Sequence, residues 1–317
     1  MKVAMRIEWW ADVVCPWCWI GETRLYRALE QRPEIQAEVV WRPFQLQPDL
    51  PPEGTPWEEV VRVKFGGPER ARAMFAHVAA AGAADGLEFD FESIAAHPNT
   101  RDAHRLVLLA QEAGIGREMA EALFRANFRE GRDIGKTGVL ADVAAQVGLD
   151  RDRVARFLGG EQLGRVVDES QEEAGALGVT GVPFFVIDGK YAFSGAQPVE
   201  TFVAVLDRVR SMDAADKARH PIAVEPHLRG HVRQHPGLPD VAPLAEVRAE
   251  ERLSHLAADP RLLRQQHQPV RVAGVGMRGD GLEVELQPVP RAGGGHVREN
   301  RPRAYRLEVR ANGYQEP

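Results

Sequence analysis

The 317-residue chain has only two cysteines, no long apolar run and no excess of positive charge. Each shortage removes a class of protein. A secreted scaffold held by disulfides needs several cysteine pairs spread along the chain, and here both cysteines, Cys15 and Cys18, fall inside one tetrapeptide. A structural zinc site ordinarily takes four ligands from two such pairs, and there is no second pair. No apolar stretch approaches ~18 residues, so no membrane-spanning helix is expected. The N-terminus, Met1-Lys-Val-Ala-Met-Arg-Ile-Glu8, lacks the charged segment, apolar segment and cleavage site of a secretory leader, which points to a cytoplasmic protein. A net charge of −6 argues against a general nucleic-acid binder. The scarcity of lysine beside arginine reads as genome composition rather than function.

What is present is the balance of a globular protein: 44% apolar and 27% charged residues over a length that suggests about two domains. Residues 3–14 read as a buried strand, rich in β-branched and aromatic side chains. Residues 19–31 have helical spacing, and Pro16 suits the first turn of that helix, where its missing N–H costs nothing. A second strand covers 37–44. From Trp57 to about Gly178 the pattern is helical almost throughout, with Asn99 or Thr100 opening one helix as its N-cap. Two short strands, 182–187 and 190–194, follow and are joined by Asp188-Gly189, a hairpin turn sequence. An amphipathic helix over 197–210 closes this part. Beyond it, prolines at 221, 226, 236 and 239 mark residues 213–240 as a linker. Residues 241–317 then read as a small C-terminal domain, with a helix near 244–258 and strands near 270–277, 282–287 and 303–309.

The chemistry-bearing feature is Cys15-Pro16-Trp17-Cys18 at a strand-to-helix junction. The thiolate is the reactive form of cysteine, and a free thiol with a pKa near ~8.5 is mostly protonated at neutral pH. The first turn of a helix offers unpaired N–H groups and the positive end of the dipole, both of which favour an anion. Cys15 is expected there, as the attacking thiol. Cys18, one turn on, is close enough to close or resolve a disulfide. Taken alone, Cys-x-x-Cys leaves redox chemistry, metal binding and chance open. The strand before it and the helix after it favour redox. So does a downstream proline, Pro183, set just before a strand.

This combination resembles the DsbA-like thiol oxidoreductases, and specifically the FrnE type of polyketide-biosynthesis dithiol–disulfide isomerases. The resemblance spans about residues 3–212. It rests on Asp12-Val-Val-Cys-Pro-Trp-Cys-Trp-Ile-Gly21, Asn99-Thr-Arg-Asp-Ala-His-Arg-Leu106, Phe128-Arg-Glu-Gly-Arg-Asp-Ile-Gly135, Gly178-Val-Thr-Gly-Val-Pro-Phe-Phe185 and Ser194-Gly-Ala-Gln-Pro198. It implies an α/β fold, with a thioredoxin-like core and a large all-helical insertion at about 57–178; the small C-terminal α+β extension is read from its own pattern and lies outside the resemblance. It also implies a cis peptide bond at Pro183, leaving the Val182 backbone free to pair with an extended substrate. Two departures matter. Trp17 stands where strongly oxidising members carry histidine, so a less oxidising pair is expected. Relatives that isomerise hydroxychromene carboxylates with glutathione carry serine in place of the first cysteine, so Cys15 favours thiol–disulfide exchange.

The expected site is therefore Cys15, Cys18 and Pro183, with Pro16, Trp17 and Val182 facing the substrate. No cofactor and no metal is implied, since the cysteines carry the redox equivalents. Partners would be disulfide- or dithiol-containing proteins or low-molecular-weight thiols, with neither nucleic acid nor membrane. Alternatives are a thiol-dependent isomerase of small aromatic or polyketide compounds, and a redox-independent chaperone or binding module. Asp12 reads first as a carboxylate capping the helix, with a proton relay to Cys18 as the alternative. His104 reads first as a packed residue of the insertion, with a role over the active site as the alternative. Trp9 or Trp10 is expected in the core, as are Phe184 and Phe185. One or two of the tryptophans crowding the motif would face substrate. His227, His231 and His235 are spaced like helical metal ligands, but Gly230 and the flanking prolines favour a solvated linker.

Overall fold

The computed structural model describes residues 4–216, 282–288 and 305–311. The chain enters through β1 (Met5–Ala11), turns over residues 12–14 into α1 (Pro16–Glu30), and returns through β2 (Ala37–Pro43), parallel to β1. The strand expected over 3–14 is therefore shorter. Its last residues form a turn, closed by Cys15 N–H donating to the Asp12 carbonyl at 2.9 Å.

The insertion follows as β3 (Thr55–Pro56), α2 (Trp57–Val63), α3 (Pro68–Ala84), β4 (Ala96–His97), α4 (Arg101–Glu112), α5 (Gly116–Phe128), α6 (Thr137–Gln146), α7 (Arg151–Leu158) and α8 (Gly164–Ala176). Its elements are helical apart from β3 and β4, which pair antiparallel. Asn99 opens α4, its Oδ1 accepting the Arg101 N–H at 2.9 Å. Thr100 occupies the N-cap position without a capping side-chain bond. Arg105, buried on the same helix, donates to the carbonyls of Phe157, Gly160 and Gln162, which fixes how α4 sits against the loops around α7 and α8.

The chain then returns to the sheet as β5 (Phe184–Ile187) and β6 (Tyr191–Ser194), both starting slightly later than expected. Between them Asp188 and Gly189 have positive φ angles of 53° and 66°, as the central residues of a tight turn that the Lys190 N–H closes on the Ile187 carbonyl at 3.0 Å; the last paired residues are Ile187 and Tyr191. Helix α9 (Val199–Asp216) packs beside α1. The strands β7 (Leu282–Pro288) and β8 (Tyr305–Ala311) pair antiparallel, and β8 joins β6 in parallel. The sheet order is β2-β1-β5-β6-β8-β7. The helix near 244–258 and the strand near 270–277 lie outside the described residues.

Alternation along the strands divides the core in two. Ile7, Trp9 and Ala11 of β1, with Phe185 and Ile187 of β5, face α1, α9 and the insertion. Trp10, Phe184 and Val186 face the other way, with Phe44, Ala174 and Val179. Trp9, Trp10, Phe184 and Phe185 are all buried, as expected. The sheet thus ends, at the C-terminal edge of β1, directly beneath the cysteine turn.

Candidate active site

The order of residues at the β1–α1 junction explains its shape. Proline at the first helical position starts α1 at Pro16, and Cys15 becomes its N-cap, with extended φ/ψ of −98° and 109°. No side chain caps this end, and the first turn has no acidic residue. Asp12 therefore does not cap α1, and that reading is corrected. The turn buries the Asp12 carboxylate beneath the cysteines, where Oδ2 accepts the Leu46 N–H at 2.8 Å. Its Oδ1 takes the Val14 N–H at 3.4 Å and lies 3.4 Å from His104 Nε2.

Both cysteines are free thiols. They differ in exposure: Cys15 retains 6% of its surface and Cys18 none. Burial pushes the Cys18 thiol well above its ordinary range, and hydrogen bonding to Cys15 pushes it further, while the Asp12 backbone pulls in the opposite direction. Cys15 is thus the thiol that can meet a partner, and Cys18 the protonated one behind it.

The Val182–Pro183 peptide bond is cis. The Cys15 Sγ donates to the Val182 carbonyl at 3.5 Å, so that carbonyl, expected to be free, is held by the thiol. The Pro183 carbonyl accepts the Gly195 N–H at 2.9 Å. Residues 179–184 with Ser194 and Gly195 line a shallow cavity of about 240 Å³ beside this loop. Pro16 is half-buried. Trp17, also partly exposed, has its ring centroid 5.7 Å from that of His77 on α3. Trp19 points inward and packs on Phe89, Phe124 and Phe128 of the insertion.

The structure brings together all six expected site residues. It also shows two that the sequence reading passed over. Gly21 lies on α1 so close to Pro183 that a Cβ would sit 3.0 Å from its Cγ. Its presence in Cys-Trp-Ile-Gly, one turn past Cys18, was the available clue. His77 reaches the motif from α3 and had no local cue. Among the described residues no group of three or more His, Cys, Asp and Glu side chains could hold a metal, and no helix is long and apolar enough to cross a membrane. His227, His231 and His235 lie outside the described residues.

Comparison with known proteins agrees with this geometry. A family model for the DSBA-like thioredoxin domain matches residues 6–207. The protein YwbO of Bacillus subtilis is 26% identical over 201 residues, covering 63% of this chain and 94% of that protein. The crystal structure of a probable DsbA oxidoreductase from Streptomyces coelicolor superposes with a TM-score of 0.61 at 35% identity, covering 69% of this chain and 93% of that one. A 2-hydroxychromene-2-carboxylate isomerase shares the fold at 16% identity and a TM-score of 0.51, covering 66% of this chain and 98% of that one.

Proposed function

Since the chain belongs to the DSBA-like thioredoxin domain family, we propose that it is a thiol–disulfide oxidoreductase, acting as a dithiol–disulfide isomerase on protein disulfides or small thiols. In the reduced state Cys15 attacks a substrate disulfide. A mixed disulfide forms between Cys15 and one substrate sulfur, and the other leaves as a thiolate. Cys18 then loses its proton and attacks Cys15 Sγ. The Cys15–Cys18 disulfide forms, and the second substrate sulfur departs. The substrate is reduced by two electrons and the cysteine pair oxidised by two. Release before Cys18 attacks, with a different substrate thiol closing on the mixed disulfide, gives isomerisation instead. The half-buried Pro16 and Trp17, with Val182 and Pro183, form the face on which the substrate backbone rests.

The observation that carries this reading is the contact of Cys15 Sγ with the Val182 carbonyl at 3.5 Å, with Cys18 fully buried behind it. The thiol next to the proline loop belongs to the cysteine that keeps some surface, 6% against none for Cys18, as an attacking group needs. Trp17 in place of histidine supports a pair less oxidising than the strongest members of the family. In a cytosol poised near about −220 to −260 mV such a pair is held as the dithiol, the form suited to isomerisation. A redox titration in glutathione buffers, read by tryptophan fluorescence, is expected to give a midpoint between about −120 and −200 mV. Cys18→Ser is expected to trap a mixed disulfide with a disulfide-containing peptide, and Cys15→Ser to trap none. No fluorescence transition, with both thiols freely alkylated, would overturn the assignment.

A further inference from the structure

Two buried groups behind the cysteines have no task in that exchange. His104 on α4 is fully buried, and neither ring nitrogen has a hydrogen-bond partner. Its Nε2 is directed at Asp12, 3.4 Å from Oδ1, and the ring of Trp41 from β2 lies against it, with centroids 5.7 Å apart. An imidazole out of water with two unsatisfied nitrogens is destabilising, and an unpaired buried group of this kind calls for a reason. The Asp12 carbonyl takes the Cys15 N–H at 2.9 Å, and the Cys18 N–H in turn donates to the Cys15 carbonyl at 3.0 Å, so Asp12 closes the turn that carries both cysteines; its charge reaches the Cys18 thiol. The Asp12 carboxylate, fixed by the Leu46 N–H, is thus held between His104 and the cysteine turn. The Arg105 clamp described above holds α4 in the position that presents His104.

We infer that Asp12 and His104 form a buried relay that takes the proton of Cys18 when it resolves the mixed disulfide, His104 being the helical insertion's contribution to the reaction. The inference rests on the exchange reading above. Cys18 has no exposed surface, so water cannot take its proton directly. Passing the proton through the Asp12 carboxylate to His104 Nε2 leaves an imidazolium beside a carboxylate. The thiolate formed at Cys18 is matched by that new positive charge, so the buried site gains no net charge. The thiolate then displaces the substrate sulfur from Cys15. When the pair is reduced again, the proton returns by the same route. The charged and titratable groups facing the relay are Cys15 and Cys18 from α1 and His97 from β4, whose ring interacts with the Asp12 charge. Asp102 and Arg105 lie on α4 itself and are bonded to each other.

The experiment uses the reduced full-length chain and one equivalent of the aromatic disulfide 5,5′-dithiobis(2-nitrobenzoate). The first thionitrobenzoate released reports attack by Cys15 and the second reports resolution by Cys18. In His104→Gln the first release is expected to keep its rate, while the second slows by about tenfold or more, the scale of a lost proton-transfer group. Its rate should then climb with hydroxide concentration where that of the unaltered protein levels off. Asp12→Asn should show the same selective loss. A His104→Gln protein that slows both releases equally, or neither, overturns the relay. Should that variant fail to fold by circular dichroism, the unaltered protein in heavy water decides. The second release should slow by about twofold more than the first, and equal slowing overturns the relay. Absence of any second release from the unaltered protein would instead remove the exchange reading, and the relay with it.

Discussion

A methyl group added at Gly21 would lie 3.0 Å from Pro183 Cγ and 3.5 Å from Phe185 Cζ. Neither neighbour can yield easily. Phe185 is fully buried in the sheet, and the Pro183 carbonyl is bonded to the Gly195 N–H. Gly21→Ala should therefore push the proline loop away from Cys15, since overpacking of this kind costs roughly 1–3 kcal/mol. The expected outcome is a several-fold slower first thionitrobenzoate release, with a lower urea midpoint; an unchanged rate would show that the close approach does not set the position of Val182. At this scale the cysteines and Pro183 were legible because they sit in short motifs whose spacing carries the chemistry. For His104 and Asp12 the local pattern does not decide between a structural and a chemical role. Their 3.4 Å contact is made by residues far apart in sequence, brought together only when α4 docks on the cysteine turn.

Helix α1 shows what the periodicity of a single element can and cannot give. Its apolar face, with Ile20, Leu25 and Ala28 buried, was readable from spacing. Its periodic signal begins only at Trp19, because cysteine and proline give little of it, and it is Pro16 that marks the first turn where the helix starts. Nor did spacing reveal that Glu22 is fully buried with neither carboxylate oxygen hydrogen-bonded. The charged face that α1 presents in sequence is covered by α5, where Arg117 stacks on Tyr26, 3.5 Å above its ring, and pairs with Glu121. Burial, and then the charge of Glu121, raise the Glu22 carboxyl well above its ordinary range. A raised carboxyl holds its proton in the folded chain after the unfolded chain has released it. Its contribution to stability is therefore full below the unfolded pKa, near ~4.3, and is lost as pH rises. Glu22→Gln, which mimics the protonated form, should stabilise the protein at pH 7. The gain should vanish near pH 4. Thermal melts at the two pH values check this, and a gain of equal size at both would show that the carboxyl does not titrate between them.

Over the whole molecule, the order strand–helix–strand, long helical segment, strand–strand–helix was enough to expect the core, because that order of elements with a Cys-x-x-Cys helix has few packings. Sequence alone could not show how tail strands join the sheet. The strands expected near 282–287 and 303–309 are present as β7 and β8, yet β8 lies parallel to β6, a pairing no turn sequence announces. Nor could it show what fastens the insertion to the redox helix. Asp85, at the end of α3, is 7% exposed and receives Arg24 Nε at 2.6 Å on one oxygen and Arg27 Nη1 at 2.8 Å on the other. Its carbonyl accepts from Arg27 Nη2 at 2.9 Å, while Arg24 Nη1 reaches the Ala196 carbonyl at 2.6 Å. One carboxylate thus ties α3 to α1, and Arg24 carries the tie on to the end of the proline-loop hairpin. Removing one partner of a buried pair costs roughly 3–5 kcal/mol, and the partial exposure of Arg27 lowers the expectation for Asp85→Ala to about 2–4 kcal/mol. Because Arg24 stands between the insertion and the hairpin, the same variant should also slow the second thionitrobenzoate release, by loosening the docking that brings His104 to Asp12. A urea titration and the two-phase release assay on one preparation test both consequences. A loss of stability with both phases unchanged would mean that the clamp fastens the insertion without governing the relay.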